Sequence, residues 1–156
     1  MRTRFAVLLA ALASTLALAG VALAGNGGRP LSTPMSGAEE APGPGDPDAT
    51  GQADLRLNQG QRRVCFDLSW ENIDGTVVAA HIHKAPPGVP GPIVVPLFEG
   101  AFAGTDSISA CVHADRSLVK AIRKHPAEYY VNVHSTPGFE AGAVRGQLEK
   151  KNKKPK

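Results

Sequence analysis

The chain has 156 residues, 42% of them hydrophobic and 20% charged, with a formal net charge of +3. That length suits one domain. The positive sign belongs to the two ends: two arginines lie in the first four residues and five lysines come after Glu149, so residues 25–149 carry ten basic side chains against fourteen acidic ones, −4 net. A body of that sign lacks the basic footprint of a nucleic-acid binder.

Met1 to Ala24 reads as a secretory leader. Arg2 and Arg4 precede an uncharged Ala/Leu-rich run from Phe5 to Leu23, and Ala22-Leu23-Ala24 forms a small-x-small cleavage site before Gly25. The run is long enough to span a bilayer if it were retained. Cleavage leaves no further apolar stretch of that length, and therefore no transmembrane helix. Residues 25–30 form a flexible lead-in. An exported chain with two cysteines, Cys65 and Cys111, is expected to pair them. Closing a loop of that length contributes about 4 kcal/mol in the chain-entropy account.

Period-two patterning dominates the chain from Leu31 onward. Leu31–Gly37 reads as a short strand that Pro34 pushes to a sheet edge. Residues 38–51 form a Pro/Gly-rich loop. Ala53, Leu55 and Leu57 share one face of a strand. After a turn at Asn58-Gln59-Gly60, Val64, Phe66, Leu68 and Trp70 share one face of the next, which predicts a hairpin. From Thr76 to His83, Val78, Ala80 and Ile82 alternate with Val77, Ala79, His81 and His83. Residues 84–92, with four prolines, form a rigid loop. Ile93–Phe98 carries Pro96, which predicts an edge or a bulge. In Ser107–His113, the residues Ile108, Ala110 and Val112 are expected to face inward. Asp115 caps a helix carrying Leu118, Val119 and Ile122, and Pro126 stops it. Tyr129, Val131 and Val133 then oppose Tyr130, Asn132 and His134 on one strand, and Ala143–Leu148 is the last. Seven or eight short strands and one short helix predict an all-β Greek-key sandwich or barrel. Residues 150–156 form a lysine-rich tail suited to an anionic surface.

Five ordered motifs carry a resemblance. They are Gly37-Ala38-Glu39-Glu40-Ala41-Pro42 behind Leu31-Ser32, Ala79-Ala80-His81-Ile82-His83, Gly91-Pro92-Ile93-Val94-Val95-Pro96-Leu97, Tyr129-Tyr130-Val131-Asn132-Val133-His134-Ser135, and Gly142-Ala143-Val144-Arg145-Gly146-Gln147-Leu148. Together residues 31–149 resemble the CHRD domain first described in chordin, as a single-domain, exported, bacterial-type member. The resemblance implies an immunoglobulin-like β-sandwich in an extracytoplasmic setting: periplasm, cell wall or medium. It implies no particular activity. The expectation is a non-enzymatic binding or structural module with an unidentified extracellular or envelope partner.

The sharpest chemistry is His81-x-His83 with His134. Residues i and i+2 of a strand share a face. His81 and His83 oppose one apolar face and His134 opposes another, so three imidazoles can converge on one patch. Imidazole is a common ligand for zinc, copper and iron. Copper suits an all-nitrogen exported site. The alternative is three structural histidines bonded to backbone. A second, weaker similarity is to copper-zinc superoxide dismutases, which carry His-x-His, a later Val-x-His and a Gly-x-x-Arg in this order. Residues 84–92 hold no histidine where a bridging ligand would fall, and the zinc loop has no counterpart. Asn132 and Arg145 are candidates for outer contacts to the metal or to an anion. Arg145 is also expected to pair with a carboxylate such as Asp67 or Glu140.

Overall fold

The computed structural model describes residues 28–102 and 106–150. The leader, the start of the lead-in and most of the lysine tail lie outside the described residues. Nine strands form among the described residues: β1 (Arg29–Ser36), β2 (Thr50–Asn58), β3 (Arg63–Glu71), β4 (Thr76–Lys84), β5 (Ile93–Glu99), β6 (Ser107–His113), β7 (Tyr129–Thr136), β8 (Phe139–Gln147) and the short β9 (Glu149–Lys150). A helix, α1 (Arg116–Lys124), lies between β6 and β7.

The strands make one antiparallel sheet in the order β5-β4-β7-β8-β1-β2-β3-β6, with β9 on β1. The sheet curls until β5 and β6 touch, giving a nearly closed barrel. The links β3–β4 and β6–β7 each cross between non-adjacent strands, so the topology is Greek key, as the patterning predicts. Trp70 bridges the seam, meeting Phe98 at 6.3 Å and Phe102 at 5.3 Å between ring centroids.

The hairpin β2–β3 shows how the pattern becomes a core. Leu57 faces Val64, Leu55 faces Phe66 and Ala53 faces Leu68, and all six are essentially buried. The turn closes when Gln61 N–H donates to Asn58 Oδ1 at 2.9 Å, with Arg62 at φ 55°. On the other face, Cys65 lies directly opposite Cys111, and the two form a disulfide. Helix α1 plugs the core with Val119 and Ile122. Asp115 occupies its N-cap without a side-chain capping bond, because its carboxylate turns to Arg62 at 3.3 Å.

Three expectations are corrected. Strand β1 is not an edge: it pairs with β2 along its whole length. Pro34 is tolerated there because β1 meets β8 at Ser36 and β9 at Leu31 and Ser32, and Pro34, with no N–H to offer, falls between. In β4 a bulge between Val77 and Ala79 sends Val77, not Val78, into the core beside Ala80 and Ile82. On β6, Ile108 and Val112 pack against the core but Ala110 is exposed, since that strand ends the sheet. Pro96 sits where expected, on the edge strand β5 at an irregular register opposite His81.

Strand β7 is buried on both faces from Tyr129 to Ser135. One face is the core. The other is an outer face of the barrel, which an antiparallel sheet ordinarily leaves to water. Here the segments 37–49 and 85–92 cover it.

Replacing Cys65 and Cys111 by serine is expected to lower the unfolding free energy by about 2–4 kcal/mol. The melting temperature should fall by roughly 10 °C for a domain of this size. A thermal melt of the double variant that overlays the parent would refute this.

Candidate metal centre

The covered face is built from three neighbouring strands. Register places His81 beside Asn132, His83 beside Tyr130 and Ala79 beside His134, and sets Asn132 against Arg145 and Tyr130 against Gln147. Period-two geometry then turns His81, His83, Tyr130, Asn132, His134 and Arg145 outward under the loops. The structure thus brings the three sequence-nominated histidines together. The rings of His81 and His134 lie 4.9 Å apart, those of His81 and His83 5.6 Å, and those of His83 and His134 6.0 Å. One ring nitrogen from each lies within 4.8 Å of the other two. The residues are 6%, 8% and 9% exposed.

Backbone carbonyls set two of the tautomers. His83 Nδ1 lies 2.9 Å from Gly91 O and His134 Nδ1 lies 3.0 Å from Glu140 O. A carbonyl only accepts, so both Nδ1 atoms carry hydrogen and both Nε2 atoms carry lone pairs. His134 Nε2 faces His81 Nδ1 at 3.0 Å. His83 Nε2 is buried without a partner, and so is His81 Nε2, 3.6 Å from Glu99 Oε1. Buried polar atoms are normally satisfied, and two orphans in one cluster mark a place where acceptor lone pairs are left over.

Burial pushes all three imidazoles below the usual histidine range, with His134 down to about 4. The neighbouring imidazoles lower His83 and His134 further, and Arg145 lowers His83; Glu99 pulls His81 the other way. The rings are therefore neutral at pH 7, the form that ligates a metal. An ion held at ~2.0–2.1 Å from each nitrogen needs nitrogens roughly 3–4 Å apart. The His81–His134 contact at 3.0 Å already meets that, and the remaining separations lie within 4.8 Å.

The cover is fastened rather than merely laid on. Arg145, 1% exposed, donates to Pro86 O at 2.9 Å and Val89 O at 3.0 Å. Its guanidinium carbon sits 3.5 Å from the centroid of the Tyr130 ring, and His83 stacks on that ring at 4.8 Å and 8°. Gln147 donates to Ala85 O at 2.9 Å, and Gly91 N–H donates to the Tyr130 hydroxyl at 3.1 Å. The expected pairing of Arg145 with Asp67 or Glu140 is not found. Asp67 accepts the Ser109 hydroxyl at 2.6 Å on the β3–β6 side, and the Glu140 carboxylate accepts from Thr136 and Gly138.

The second loop enters through Glu40, which accepts from Asn132 Nδ2 at 2.8 and 2.9 Å. The nominated Asn132 thus ties down cover, and among the described residues no hydrogen bond joins it to an imidazole. Gly142 at φ 150° makes room: a Cβ there would lie 2.5 Å from Asn132 Nδ2 and 2.6 Å from Glu40 Oε1. Glu40, Tyr130 and Glu99 escape a reading of the sequence for ligands. Tyr130 alone left a signal, sharing the outward face of β7 with His134. His113 and His125 stand apart, both exposed.

The fold and site define an all-β Greek-key barrel with a buried histidine cluster on a covered outer face. Residues 31–148 match the CHRD domain, most of the chain, and the protein belongs to the CHRD-domain family. Searches of curated proteins and of solved structures return no match.

Glu40 supplies a pH signature. Burial raises its carboxyl to about 7, against the opposing pull of Arg145 and its hydrogen bonds. A carboxyl whose folded value exceeds its unfolded one stabilises the fold fully below about pH 4.5, and that contribution is lost as pH rises through 7. Glu40→Gln is therefore expected to gain melting temperature on the parent between pH 5 and pH 8. Parallel melting curves across that range would contradict it.

Proposed function

We propose that this CHRD-domain protein is an exported, non-enzymatic metal-binding module holding one transition-metal ion at His81, His83 and His134. The observation that carries the reading is the tautomer arrangement. Gly91 O and Glu140 O orient two imidazoles so that their Nε2 atoms carry lone pairs: that of His134 meets His81 Nδ1 at 3.0 Å, and that of His83 is buried without a partner. Ordinary structural histidines leave no such surplus of buried acceptors.

Copper is the favoured ion. Three neutral nitrogens match its ligand preference, and it heads the divalent affinity order for such donors. A bound copper ion would supply Lewis acidity and one-electron redox capacity. Binding rather than turnover is supported by the cover: Arg145 and Gln147 anchor the 85–92 loop over the cluster, which restricts substrate access. Export is supported by the leader in the sequence and by the Cys65–Cys111 disulfide. The lysines from 150 onward offer contact with anionic envelope polymer or lipid.

The test is titration of the purified protein with Cu(II) and Zn(II), monitored by calorimetry and elemental analysis. One saturable equivalent is expected. At about a hundredfold excess over the dissociation constant, stability should rise by about 2.7 kcal/mol. His83→Ala should abolish that gain while His113→Ala leaves it intact. Absence of saturable binding, or identical binding in the two variants, would discard the proposal.

A further inference from the structure

We propose that Glu99, on the edge strand β5, is a positioning residue of this centre: it accepts the Nε2 proton that His81 must carry once its Nδ1 is given to a metal. The inference rests on the three-histidine reading above.

The argument starts from one shared hydrogen. His134 Nδ1 donates to Glu140 O, so its Nε2 is an acceptor. The 3.0 Å contact with His81 Nδ1 then requires the hydrogen on His81 Nδ1. In the ion-free protein, therefore, these two nitrogens saturate each other, and the lone pair of His81 is on Nε2. That lone pair faces the Glu99 carboxylate at 3.6 Å, just beyond hydrogen-bond distance, and Nε2 has no closer partner. Two acceptors facing each other should stand apart in this way.

Metal loading reverses the arrangement. His134 Nε2 and His81 Nδ1 both turn their lone pairs to the ion, and the ring keeps its single proton by moving it to Nε2. The count balances: one neutral imidazole with one N–H before, one after, exchanged through solvent. The relocated N–H now points at Glu99, and the contact becomes a hydrogen bond to a carboxylate. Ligating histidines characteristically donate their second N–H to such an acceptor, and losing it typically costs 10–100-fold in metal affinity. His83 and His134 already have theirs in Gly91 O and Glu140 O. Glu99 completes the set for His81, and it alone is a side chain. It is also 69% exposed, so it can be exchanged without disturbing the core.

The test uses the intact protein with Zn(II) as a diamagnetic probe and long-range 15N NMR of the imidazoles. His81 should show an Nδ1 hydrogen without zinc and an Nε2 hydrogen with it. Glu99→Leu should weaken zinc and copper binding roughly 10–100-fold with the ion-free melting temperature unchanged. Glu99→Gln, which keeps an acceptor oxygen, should recover most of the affinity. If the parent binds a single ion but Glu99→Leu binds equally well, or His81 keeps its Nδ1 hydrogen when loaded, the role of Glu99 is overturned and the three-histidine site stands. If the parent binds no ion at all, both fall together.

Discussion

Arg145 carries a full positive charge on the outside of a β-barrel and is nevertheless sealed from water. Its guanidinium is met by the carbonyls of Pro86 and Val89 and by the face of Tyr130. A buried charge is costly unless its donors are satisfied, and here the satisfying groups belong to the covering loop. The two needs close on each other: the loop stays down because Arg145 requires its carbonyls, and Arg145 stays buried because the loop is down. Without that contact the outer face of β4, β7 and β8 would be ordinary wet sheet, and its histidines would titrate as exposed ones do.

The cover sets the electrostatics beneath it. Desolvation is the largest influence on all three imidazoles and on Glu40, and it drives each toward its neutral form. Arg145 also disfavours protonation of His83. An apolar cover would have neutralised the rings equally well. Carbonyls do more, because Gly91 O fixes which nitrogen of His83 keeps its proton. Glu140 O, from the neighbouring strand β8, does the same for His134. Orientation and protonation state thus come from the same few backbone atoms, and the sheet, the cover and the cluster act as one unit.

The fold was largely legible in the sequence because its causes are local and periodic. Val64, Phe66, Leu68 and Trp70 alternate without interruption, and so do Tyr129, Val131 and Val133; the structure buries both sets. The pattern misled where backbone irregularity intervened. The β4 bulge exchanges Val77 for Val78, and nothing in a run of small and β-branched residues announces it. Pro34 argued for an edge, since the sequence does not say that β1 and β8 would pair so sparsely beside it. The three histidines were legible as candidates because parity alone puts them outward. Their mutual distances depend on how β4 and β7 register, which parity cannot supply. Glu40 was hidden for a different reason: it reaches Asn132 across 92 residues, from a loop with no periodicity of its own. Arg145 was expected to pair with Asp67 or Glu140, a reasonable reading for a sheet surface; under the loop it meets carbonyls instead, with Glu40 as the carboxylate that feels its charge.

The molecule also keeps its disulfide away from its histidine cluster. The disulfide ties β3 to β6 on the outer face of one side, and in strand order that side lies across the barrel from β4, β7 and β8. The disulfide side needs its covalent clamp because β6 ends the sheet and contributes only partly buried side chains to the core. The histidine side is held by hydrogen bonds to Gly91 O, Glu140 O and the loop carbonyls that meet Arg145. The barrel is thus clamped covalently where its core is thin and by hydrogen bonds where its nitrogens converge.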